Sequence, residues 1–395
     1  MTQSRETLLV TLTGPDRPGV TAALFTAIEA QRAEVLDVEQ VVIRGQLILG
    51  VLLASVVAGD LALAAHRVAD KLGMQVSIAP GVDVDDPRRR GRLLVTILGA
   101  PLRPHAFAAV AVCIAEQDGN IDSITRVASH PVTAIELEVS GSELDRLRTS
   151  LAQTASANRI DIAVQRAGLR RRGQLLVVMD VDSTFIQDEV IELLADAAGC
   201  RAQVERITAA AMAGELDFRT ALEARVALLS GAPAEILSQV QSQIRLTAGA
   251  LTLVRTLHRL GYHVGLVSGG FLEVVGPIAA KLGITHFAAN GLEVADGRLT
   301  GRLRGPVIDR AGKAAVLQAF ADELGIPLSR TIAVGDGAND IDMLALAGLG
   351  VAFNAKEVLR DVADTSVTQP YLDSILFLLG ITREEVEEAS IAEDS

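Results

Sequence analysis

The chain has 395 residues, a length that predicts two or three domains rather than one. Hydrophobic residues make up 49% of it but aromatic residues only 3%, so we expect cores built from Ala, Leu, Val and Ile. The formal net charge of −13 argues against nucleic acid as a partner.

The two cysteines and the N-terminus bear on location. Cys113 and Cys200 are too few for a disulfide framework, and we interpret them as small buried side chains in a reducing compartment rather than as a redox pair. The N-terminus lacks a basic start followed by a long apolar stretch, and the apolar segment 47–58 is too short to span a bilayer. We therefore expect a cytoplasmic protein without a membrane partner.

Residues 1–83 are predicted to form one ferredoxin-like domain with the order βαββαβ. Its breaker-rich first loop, TGPDRPGV at 13–20, is followed by a helical pattern, and Asp60 is a candidate cap for the second helix. The predicted elements are strands at 7–12, 35–42, 47–56 and 75–79 and helices at 20–31 and 61–72.

The loop at 13–20 resembles the first loop of ACT domains, which are small regulatory modules that often bind amino acids. The resemblance implies an amino-acid effector such as serine at the loop that contains Asp16 and Gly19. Gly19 would allow close backbone approach, and the free N–H groups of a helix start favour a carboxylate. The alternative is that proline and glycine simply form the turn.

Residues 90–168 repeat the same order and predict a second ACT-like domain. Here the loop is GAPLRPHA at 99–106, in which the Asp-Arg-Pro-Gly part is missing, so a scaffolding role is favoured over ligand binding. The predicted elements are strands at 92–98, 120–127, 132–139 and 160–165 and helices at 104–117 and 142–155.

Residues 174–385 alternate strands and helices, which predicts an α/β domain with a parallel sheet and helices on both faces. Between the strands at 175–179 and 262–267 the pattern is largely helical, so we expect a helical cap over residues 190–250. Such a cap would exclude water from a charged reaction. The acidic tail at 386–395 is expected to be frayed.

The strand at 175–179 ends in DVDST at 180–184, which places two carboxylates one residue apart. Like charges that close repel, and burial penalises both, unless a cation lies between them. Because ligands bind at the carboxyl ends of parallel strands, we expect an active site with a divalent metal here. The alternative is an acidic turn after a strand.

Two other metal sites are excluded. An EF-hand loop needs glycine at its sixth position, where this chain has Phe185 or Ile341. A zinc site needs clustered histidine or cysteine, and none of the six histidines lies in such a motif.

Three later segments complete a pattern: SGG at 268–270, Lys313 before a helical stretch, and GDGAND at 335–340. An acid pair, a hydroxyl with glycines, a lysine and a second acid cluster, in this order, resembles the haloacid dehalogenase superfamily of phosphotransferases. The resemblance implies a Rossmann-like core in which Asp180 is the nucleophile that forms an acyl phosphate. Asp182 is then the general acid and base.

The same resemblance implies a Mg²⁺ ion bound by Asp180, the main-chain carbonyl of Asp182, and Asp336. Mg²⁺ prefers such oxygen ligands. Asp340 would hold a metal-bound water or orient Lys313. The residues implied to bind the phosphoryl group are Ser268, the N–H of Gly269, and Lys313.

Four further segments make the resemblance closer to phosphoserine phosphatases: DE at 188–189, DFR at 217–219, EARV at 223–226 and AFNAK at 352–356. It implies that Glu189 binds the substrate ammonium, that Arg225 binds its carboxylate and that Phe218 closes over the site. Asn339 is a further implied substrate-binding residue. Arginine suits bidentate carboxylate binding. The alternative for Glu189 and Arg225 is ion pairing on a helix surface.

The resemblance thus implies a Mg²⁺-dependent hydrolase of O-phospho-L-serine acting at the last step of serine biosynthesis. We expect regulation by an amino acid and a homodimer, because ACT-like sheets commonly pair between chains. One alternative is a phosphatase for another small phosphomonoester. A rival from a different class is an amino-acid-binding regulator with a vestigial phosphatase domain, which the intact Asp180, Asp182, Lys313 and Asp336 argue against.

Overall fold

The structure is a computed structural model that describes residues 7–29, 33–54, 58–81, 91–168, 173, 175–213 and 215–391. It divides into two compact units, Met1–Pro87 and Arg88–Ser395. The junctions that we predict around residues 84–89 and 169–173 lie almost wholly outside the described residues.

The first unit is a four-stranded antiparallel sheet in the order β2-β3-β1-β4 with two helices on one face. Its core includes Val10, Leu24, Leu49 and Leu61, each fully buried. The predicted βαββαβ order is confirmed. The elements are β1 Thr7–Pro15, α1 Val20–Glu29, β2 Glu34–Ile43, β3 Gln46–Ala54, α2 Ala58–Leu72 and β4 Gln75–Pro80.

Two details of this unit concern its hairpin turn and the start of its second helix. Arg44 and Gly45 both have positive φ, 49° and 81°, which is the geometry of a two-residue hairpin turn between twisted strands. The expectation that Asp60 caps the second helix is wrong, because α2 begins at Ala58 and Asp60 lies inside its first turn.

The second unit begins with the second ferredoxin-like module. Its elements are β5 Leu93–Gly99, α3 Pro104–Glu116, β6 Asn120–Ala128, β7 Thr133–Ser140, α4 Leu144–Asn158 and β8 Asp161–Arg166. The βαββαβ order again agrees with the prediction.

The rest of the second unit carries the α/β domain. Its strands are β9 Leu176–Asp180, β10 His263–Phe271, β11 His286–Ala295, β12 Arg298–Arg304, β13 Thr331–Gly335, β14 Leu349–Phe353 and β15 Thr365–Val367. Its helices are α5 Val190–Ala197, α6 Arg201–Met212, α7 Phe218–Ala227, α8 Glu235–Gln243, α9 Ala250–Arg259, α10 Leu272–Lys281, α11 Arg310–Glu323, α12 Ile341–Leu346, α13 Glu357–Arg360, α14 Ile375–Leu378 and α15 Arg383–Ile391. Helices α5 to α8 lie between β9 and β10, where the helical cap is expected.

The two parts of the second unit share one sheet of eleven strands, in the order β12-β11-β10-β9-β13-β14-β15-β8-β5-β7-β6. Strand β15 pairs antiparallel with β8 through Thr365 and Ala163. Leu98, Ala134 and Ala163 are buried in the same core cluster as Val367 and Phe377. The second ferredoxin-like module is therefore built into the α/β domain, which agrees with a scaffolding role.

The C-terminal segment differs from the expectation of a frayed tail, because Arg383–Ile391 forms helix α15. Val386 is only 4% exposed and packs into the core, and Arg383 forms an ion pair with Asp373 at 3.2 Å. Residues 392–395 lie outside the described residues. None of the helices in the described ranges combines the length and the apolar character that crossing a membrane requires.

Candidate active site

The acidic groups meet because three parallel strands end side by side. In the pairing of β9 with β10, Asp180 lies opposite Val267, so Ser268 follows directly beside it. In the pairing of β9 with β13, Met179 lies opposite Val334, one residue before the GDGAND segment begins. The carboxyl edge of the sheet thus collects the side chains that we predict to act together.

Asp180 and Asp340 share one buried ammonium group. Lys313 Nζ lies 2.6 Å from Asp180 Oδ1 and 2.7 Å from Asp340 Oδ1, and the lysine side chain is fully buried. Burial and the charge of Asp340 raise the pKa of Asp180 well above its usual value, and the charge of Lys313 opposes only part of this shift. Burial acts against the charge of Lys313, but the two carboxylates outweigh it and raise the pKa of the lysine. Lys313 is therefore a permanent cation at this edge.

Asp182 is held by a different set of groups. Ser268 Oγ donates a hydrogen bond to Asp182 Oδ2 at 2.8 Å, and the main-chain N–H of Val190 donates to Oδ1 at 2.8 Å. The N–H of Gly270 donates to Ser268 Oγ at 2.7 Å, which fixes the hydroxyl. Loss of solvation raises the pKa of Asp182, and the hydrogen bonds from Val190 and Ser268 partly oppose this shift. A raised pKa favours a group that carries a proton to donate.

Asp336 completes a group of three carboxylates. One oxygen from each of Asp180, Asp336 and Asp340 lies within 4.8 Å of the others. Loss of solvation and the charge of Asp340 raise the pKa of Asp336 to about 6. Oxygen-only donors that repel one another without a counter-ion fit a hard divalent cation.

Asp340 is already engaged by protein groups. Its Oδ1 accepts from Lys313, and its Oδ2 accepts from the N–H groups of Asp336 and Gly337 at 3.2 and 3.1 Å. Asp340 therefore orients Lys313 and the loop after β13.

A cavity of about 220 Å³ opens beside these acids under the cap helices. The residues that line it are Asp180, Asp182, Glu189, Ile191, Phe218, Leu222, Arg225, Gly269, Gly270, Phe271, Asp336, Gly337, Asn339 and Lys356. The cavity thus combines the carboxyl groups of Asp180, Asp182 and Asp336 with the Glu189 carboxylate and the Arg225 guanidinium from the cap.

Glu189 and Arg225 face this cavity from the entry to the cap and from α7. Glu189 is exposed to the open cavity, yet the atoms packed around its carboxyl group limit its solvation. This loss of solvation, followed by the charge of Asp182, raises the pKa of Glu189 to about 7. Ser183 Oγ donates to Glu189 Oε1 at 2.8 Å. Partial burial lowers the pKa of Arg225, whose Nε donates to the carbonyl of Ala221 at 3.3 Å.

The structure brings together every residue predicted for the catalytic, metal and substrate sites. Eight of them line the cavity, and the other three, Ser268, Lys313 and Asp340, form hydrogen bonds or ion pairs with the acids that line it or with the loop that carries Asp336. Phe218 packs directly over Gly269, since a Cβ on that glycine would lie 3.2 Å from the phenyl ring. The individual roles stay predictions.

The predicted effector loop lies in the first unit. Asp16 is exposed, and its N–H donates to the carbonyl of Gly45 at 2.8 Å. Gly19 has a φ of 91°, a left-handed conformation that favours glycine, so the turn needs this residue whether or not a ligand binds.

Sequence reasoning missed four groups of the cavity wall. Ile191, Leu222 and Phe271 have the periodicity of ordinary core residues, and their sequence offers no signal of a binding role. Lys356 belongs to the AFNAK segment that carries the resemblance, but no role was assigned to it. Its N–H donates to the carbonyl of Asp336 at 3.1 Å.

Comparisons with protein families agree with this architecture. The haloacid dehalogenase-like hydrolase family matches residues 177–345, and ACT domain families match residues 6–79 and 93–165. Fold, site and family matches define a haloacid dehalogenase-like hydrolase that carries two ACT domains.

Comparisons with individual proteins indicate which kind of hydrolase this chain resembles. The chain is 55% identical to a phosphoserine phosphatase of Streptomyces coelicolor over 98% of this chain and 95% of that protein. It is 47% identical to a phosphoserine phosphatase of Mycobacterium tuberculosis over 98% of this chain and 96% of that protein. A solved structure of a probable phosphoserine phosphatase from Vibrio cholerae has a TM-score of 0.58 and 32% identity, and covers 76% of this chain and 90% of its own. The chain belongs to the phosphoserine phosphatase family.

Proposed function

We propose that this enzyme hydrolyses O-phospho-L-serine to L-serine and inorganic phosphate with the help of Mg²⁺, as the last step of serine biosynthesis. One observation carries the proposal: a single cavity holds the acidic edge with Asp180 and Asp182 together with Glu189 and Arg225. Phosphoserine carries a phosphoryl group, an ammonium and a carboxylate, and the cavity offers a complement to each.

In the first step of the proposed reaction, a carboxylate oxygen of Asp180 attacks phosphorus, and the bond from phosphorus to the serine oxygen breaks. Asp182 gives its proton to that oxygen, so that serine leaves as a neutral alcohol. Within the described residues, the hydrogen bond and the ion pair of Asp180 both fall on Oδ1, which supports Oδ2 as the attacking oxygen.

In the second step, Asp182 takes a proton from a water molecule, which attacks the aspartyl phosphate and releases phosphate. This step restores the carboxylate of Asp180. Lys313 neutralises charge on the phosphoryl oxygens, and the N–H of Gly269 and the hydroxyl of Ser268 are further donors in reach of this edge. The raised pKa of Asp182 supports its use as an acid first and a base second.

The proposed ligands of Mg²⁺ are a carboxylate oxygen of Asp180, the main-chain carbonyl of Asp182, and Asp336. Asp340 is left out of this set because both its oxygens already accept hydrogen bonds. When bound, the ion supplies positive charge against the carboxylates and the phosphoryl group.

The cap supplies the proposed selectivity. Glu189 binds the ammonium of the substrate, Arg225 binds its carboxylate, and Phe218 covers the site above Gly269. Asn339 lines the same cavity and adds an amide beside the substrate. An alternative substrate is another small phosphomonoester, for which Arg225 would be dispensable.

The first ACT domain is the proposed sensor of an amino acid such as serine, at the loop with Asp16 and Gly19. The proposed assembly is a homodimer in the cytoplasm. Strand β2 lies at an edge of its sheet, and five of its apolar side chains are 42–57% exposed, which supports pairing with a second chain. These apolar side chains are Val35, Val38, Val41, Val42 and Ile43.

The first experiment measures phosphate release from L-phosphoserine with Mg²⁺ for the wild type, Asp180→Asn and Arg225→Ala. We expect an active wild type, an inactive Asp180→Asn, and an Arg225→Ala that is impaired with phosphoserine but not with p-nitrophenyl phosphate. A wild type that ignores phosphoserine and hydrolyses other phosphomonoesters through Asp180 would retain the mechanism and reject the substrate.

Two further measurements address regulation and assembly. Serine is titrated into the assay with the wild type and with Asp16→Ala, and a response that is identical in both rejects the proposed loop. Sedimentation as a monomer throughout the micromolar range rejects the homodimer.

A further inference from the structure

The two segments that connect the cap to the α/β domain run side by side. The entry segment, residues 184–189, and the exit segment, residues 245–247, form an antiparallel bridge at Ile186 and Leu246. The N–H of Gln187 donates to the carbonyl of Arg245 at 2.9 Å, and the N–H of Thr247 donates to the carbonyl of Phe185 at 3.0 Å. Any movement of the cap relative to the acidic edge must therefore bend or shift this pair of segments.

One ion pair joins the two segments through side chains. Arg245 Nε and Nη2 lie 3.2 and 2.6 Å from Asp188 Oδ1, and the main-chain N–H of Arg245 donates to Asp188 Oδ2 at 2.9 Å. Both oxygens of Asp188 are thus occupied by one residue. Partial burial favours a higher pKa for Asp188, but the bonds and the charge of Arg245 outweigh this effect and lower it.

This pair differs from an ordinary surface salt bridge. Exposed pairs contribute little, because water screens them and both side chains are free to move. Here the Asp188 side chain is only 9% exposed, and a main-chain bond fixes its second oxygen, although Arg245 is 67% exposed. The carboxylate is therefore held in one orientation between the two segments.

The position of Asp188 connects the pair to the substrate site. Asp188 directly precedes Glu189, and its carbonyl accepts the N–H of Ser183 at 3.4 Å. Ser183 has a φ of 58°, an unusual conformation for a residue other than glycine, and its hydroxyl donates to Glu189. The backbone turn that aims Glu189 into the cavity is thus tied to Arg245 at one end and to the catalytic loop at the other.

We propose that the Asp188–Arg245 pair is a positioning element that holds Glu189 in the orientation required to bind the ammonium of the substrate. This inference rests on the proposed function. The pair touches neither substrate nor reacting atoms, so its removal affects substrates with an amine and spares those without one.

The test compares the wild type with Asp188→Asn, Arg245→Met and the double variant on L-phosphoserine and on p-nitrophenyl phosphate, which has no amine. Asp188→Asn retains an oxygen for the N–H of Arg245, and Arg245→Met retains an apolar stem, so both are mild changes. The matched control is Arg201→Met, which removes a guanidinium that forms three ion pairs on the cap surface, with Glu192, Asp196 and Glu205.

We expect each single variant to lose about tenfold in kcat/KM for phosphoserine, mainly through KM, because Glu189 is misplaced. Activity on p-nitrophenyl phosphate and the activity of Arg201→Met on both substrates are expected to stay at the wild-type level. The double variant should be no worse than the single variants, because both remove the same interaction. Arg245→Lys, which keeps the charge, should recover part of the loss.

Three results overturn the inference while phosphoserine is a substrate of the wild type: unchanged activity in the variants, equal losses on both substrates, or additive losses in the double variant. A wild type that does not act on phosphoserine rejects the proposed function and this inference with it.

Discussion

At the scale of single residues, the acids of the site differ in what contacts them. Asp180 lies 2.6 Å from the ammonium of Lys313, while Asp182 accepts hydrogen bonds from a hydroxyl and a main-chain N–H. Burial raises the pKa of both carboxyl groups, and the shift is opposed by the charge of a contacting ammonium at Asp180 but mainly by neutral hydrogen-bond donors at Asp182. Environments that treat two neighbouring carboxyl groups differently are a common basis for dividing nucleophile and acid between them.

Gly270 provides a prediction at this scale. A Cβ at this position would lie 2.7 Å from Asp182 Oδ2 and 2.9 Å from Ser268 Oγ, so Gly270→Ala must displace the Asp182 carboxyl group or the Ser268 hydroxyl. We expect kcat to fall about a hundredfold, because misplaced catalytic groups lose activity steeply. The measurement is steady-state kinetics together with circular dichroism to establish that the fold is intact.

The control for this substitution is Gly59→Ala, at a helical position where no atom lies within 4 Å of the new Cβ. It should leave kcat unchanged. If the Gly270→Ala variant had the same kcat as the wild type, the close packing around Asp182 would have no role in catalysis.

The sequence predicts that the acids, the lysine and the charges of Glu189 and Arg225 belong to one site, because charged groups at strand ends and in ordered motifs have few structural explanations. It does not predict Phe271 or Leu222, because an apolar residue that lines a cavity has the same periodicity as one in a core. Nor does it predict the left-handed Ser183, since that conformation favours glycine and asparagine and is imposed here by tertiary contacts.

At the scale of elements, helix α11 presents Lys313 from its first turn. Asp309 caps this helix, and its Oδ1 accepts the N–H of Gly312 at 2.8 Å. The carbonyl of Asp309 also accepts the N–H of Lys313 at 2.9 Å. Asp309, as the N-terminal cap of α11, therefore fixes the turn from which Lys313 reaches both carboxylates.

Asp309→Ala should lower the stability by about 1 kcal/mol, because an N–H at the helix start loses its acceptor. It should also lower kcat, since the first turn frays and Lys313 loses its fixed position. Thermal unfolding and phosphate release measure the two effects. Asp309→Ser restores an acceptor and should recover both, and an alanine variant equal to the wild type would contradict this role of the cap.

The limits of the elements were predicted within a few residues where apolar runs are sharp, as at β9. The C-terminal segment is different, because its acidic composition predicts a solvated tail. The apolar side chain of Val386 packs into the core, and an ion pair of Arg383 with Asp373 holds the start of the helix. The average composition of a segment does not show that single residues within it are buried or ion-paired.

At the scale of the molecule, the continuous sheet of the second unit was not predicted. Its connecting strand β15 has only three residues, and its partner β8 lies about two hundred positions earlier, so no local pattern announces the pairing. The junction also contains the ion pair of Arg148 with Asp364 at 2.7 Å and a bond from Gln165 Nε2 to the carbonyl of Leu378 at 2.9 Å.

Asp161 makes this junction sensitive to pH. Its side chain is 1% exposed, and its Oδ2 accepts the N–H of Thr368 at 2.8 Å. Burial raises its pKa to about 6. A carboxyl group whose pKa is higher in the folded than in the unfolded chain holds its proton more tightly when folded. The stability that this proton provides is complete below pH ~4 and is lost as the pH rises through about 6.

Asp161→Asn removes this titration. From pH 4 to pH 7 the wild type should therefore lose about 2–3 kcal/mol of stability relative to the variant. Thermal midpoints of both proteins, measured across this range, test the prediction. A difference between them that stays constant with pH would contradict it, whatever the sign of that difference.

The shared core predicts opposite outcomes for two truncations. The first unit has its own core, so a chain that starts at residue 91 should remain folded and retain phosphatase activity, with any serine response lost. A chain that starts at residue 173 loses β8 and with it the cover of Val367 and Phe377, and large exposed apolar patches lead to aggregation.

Size-exclusion chromatography and phosphate release from both truncated chains distinguish the outcomes. A soluble, active chain from residue 173 would show that the second ACT domain is dispensable for the fold of the phosphatase, and insolubility of both would show that the first unit supports it as well.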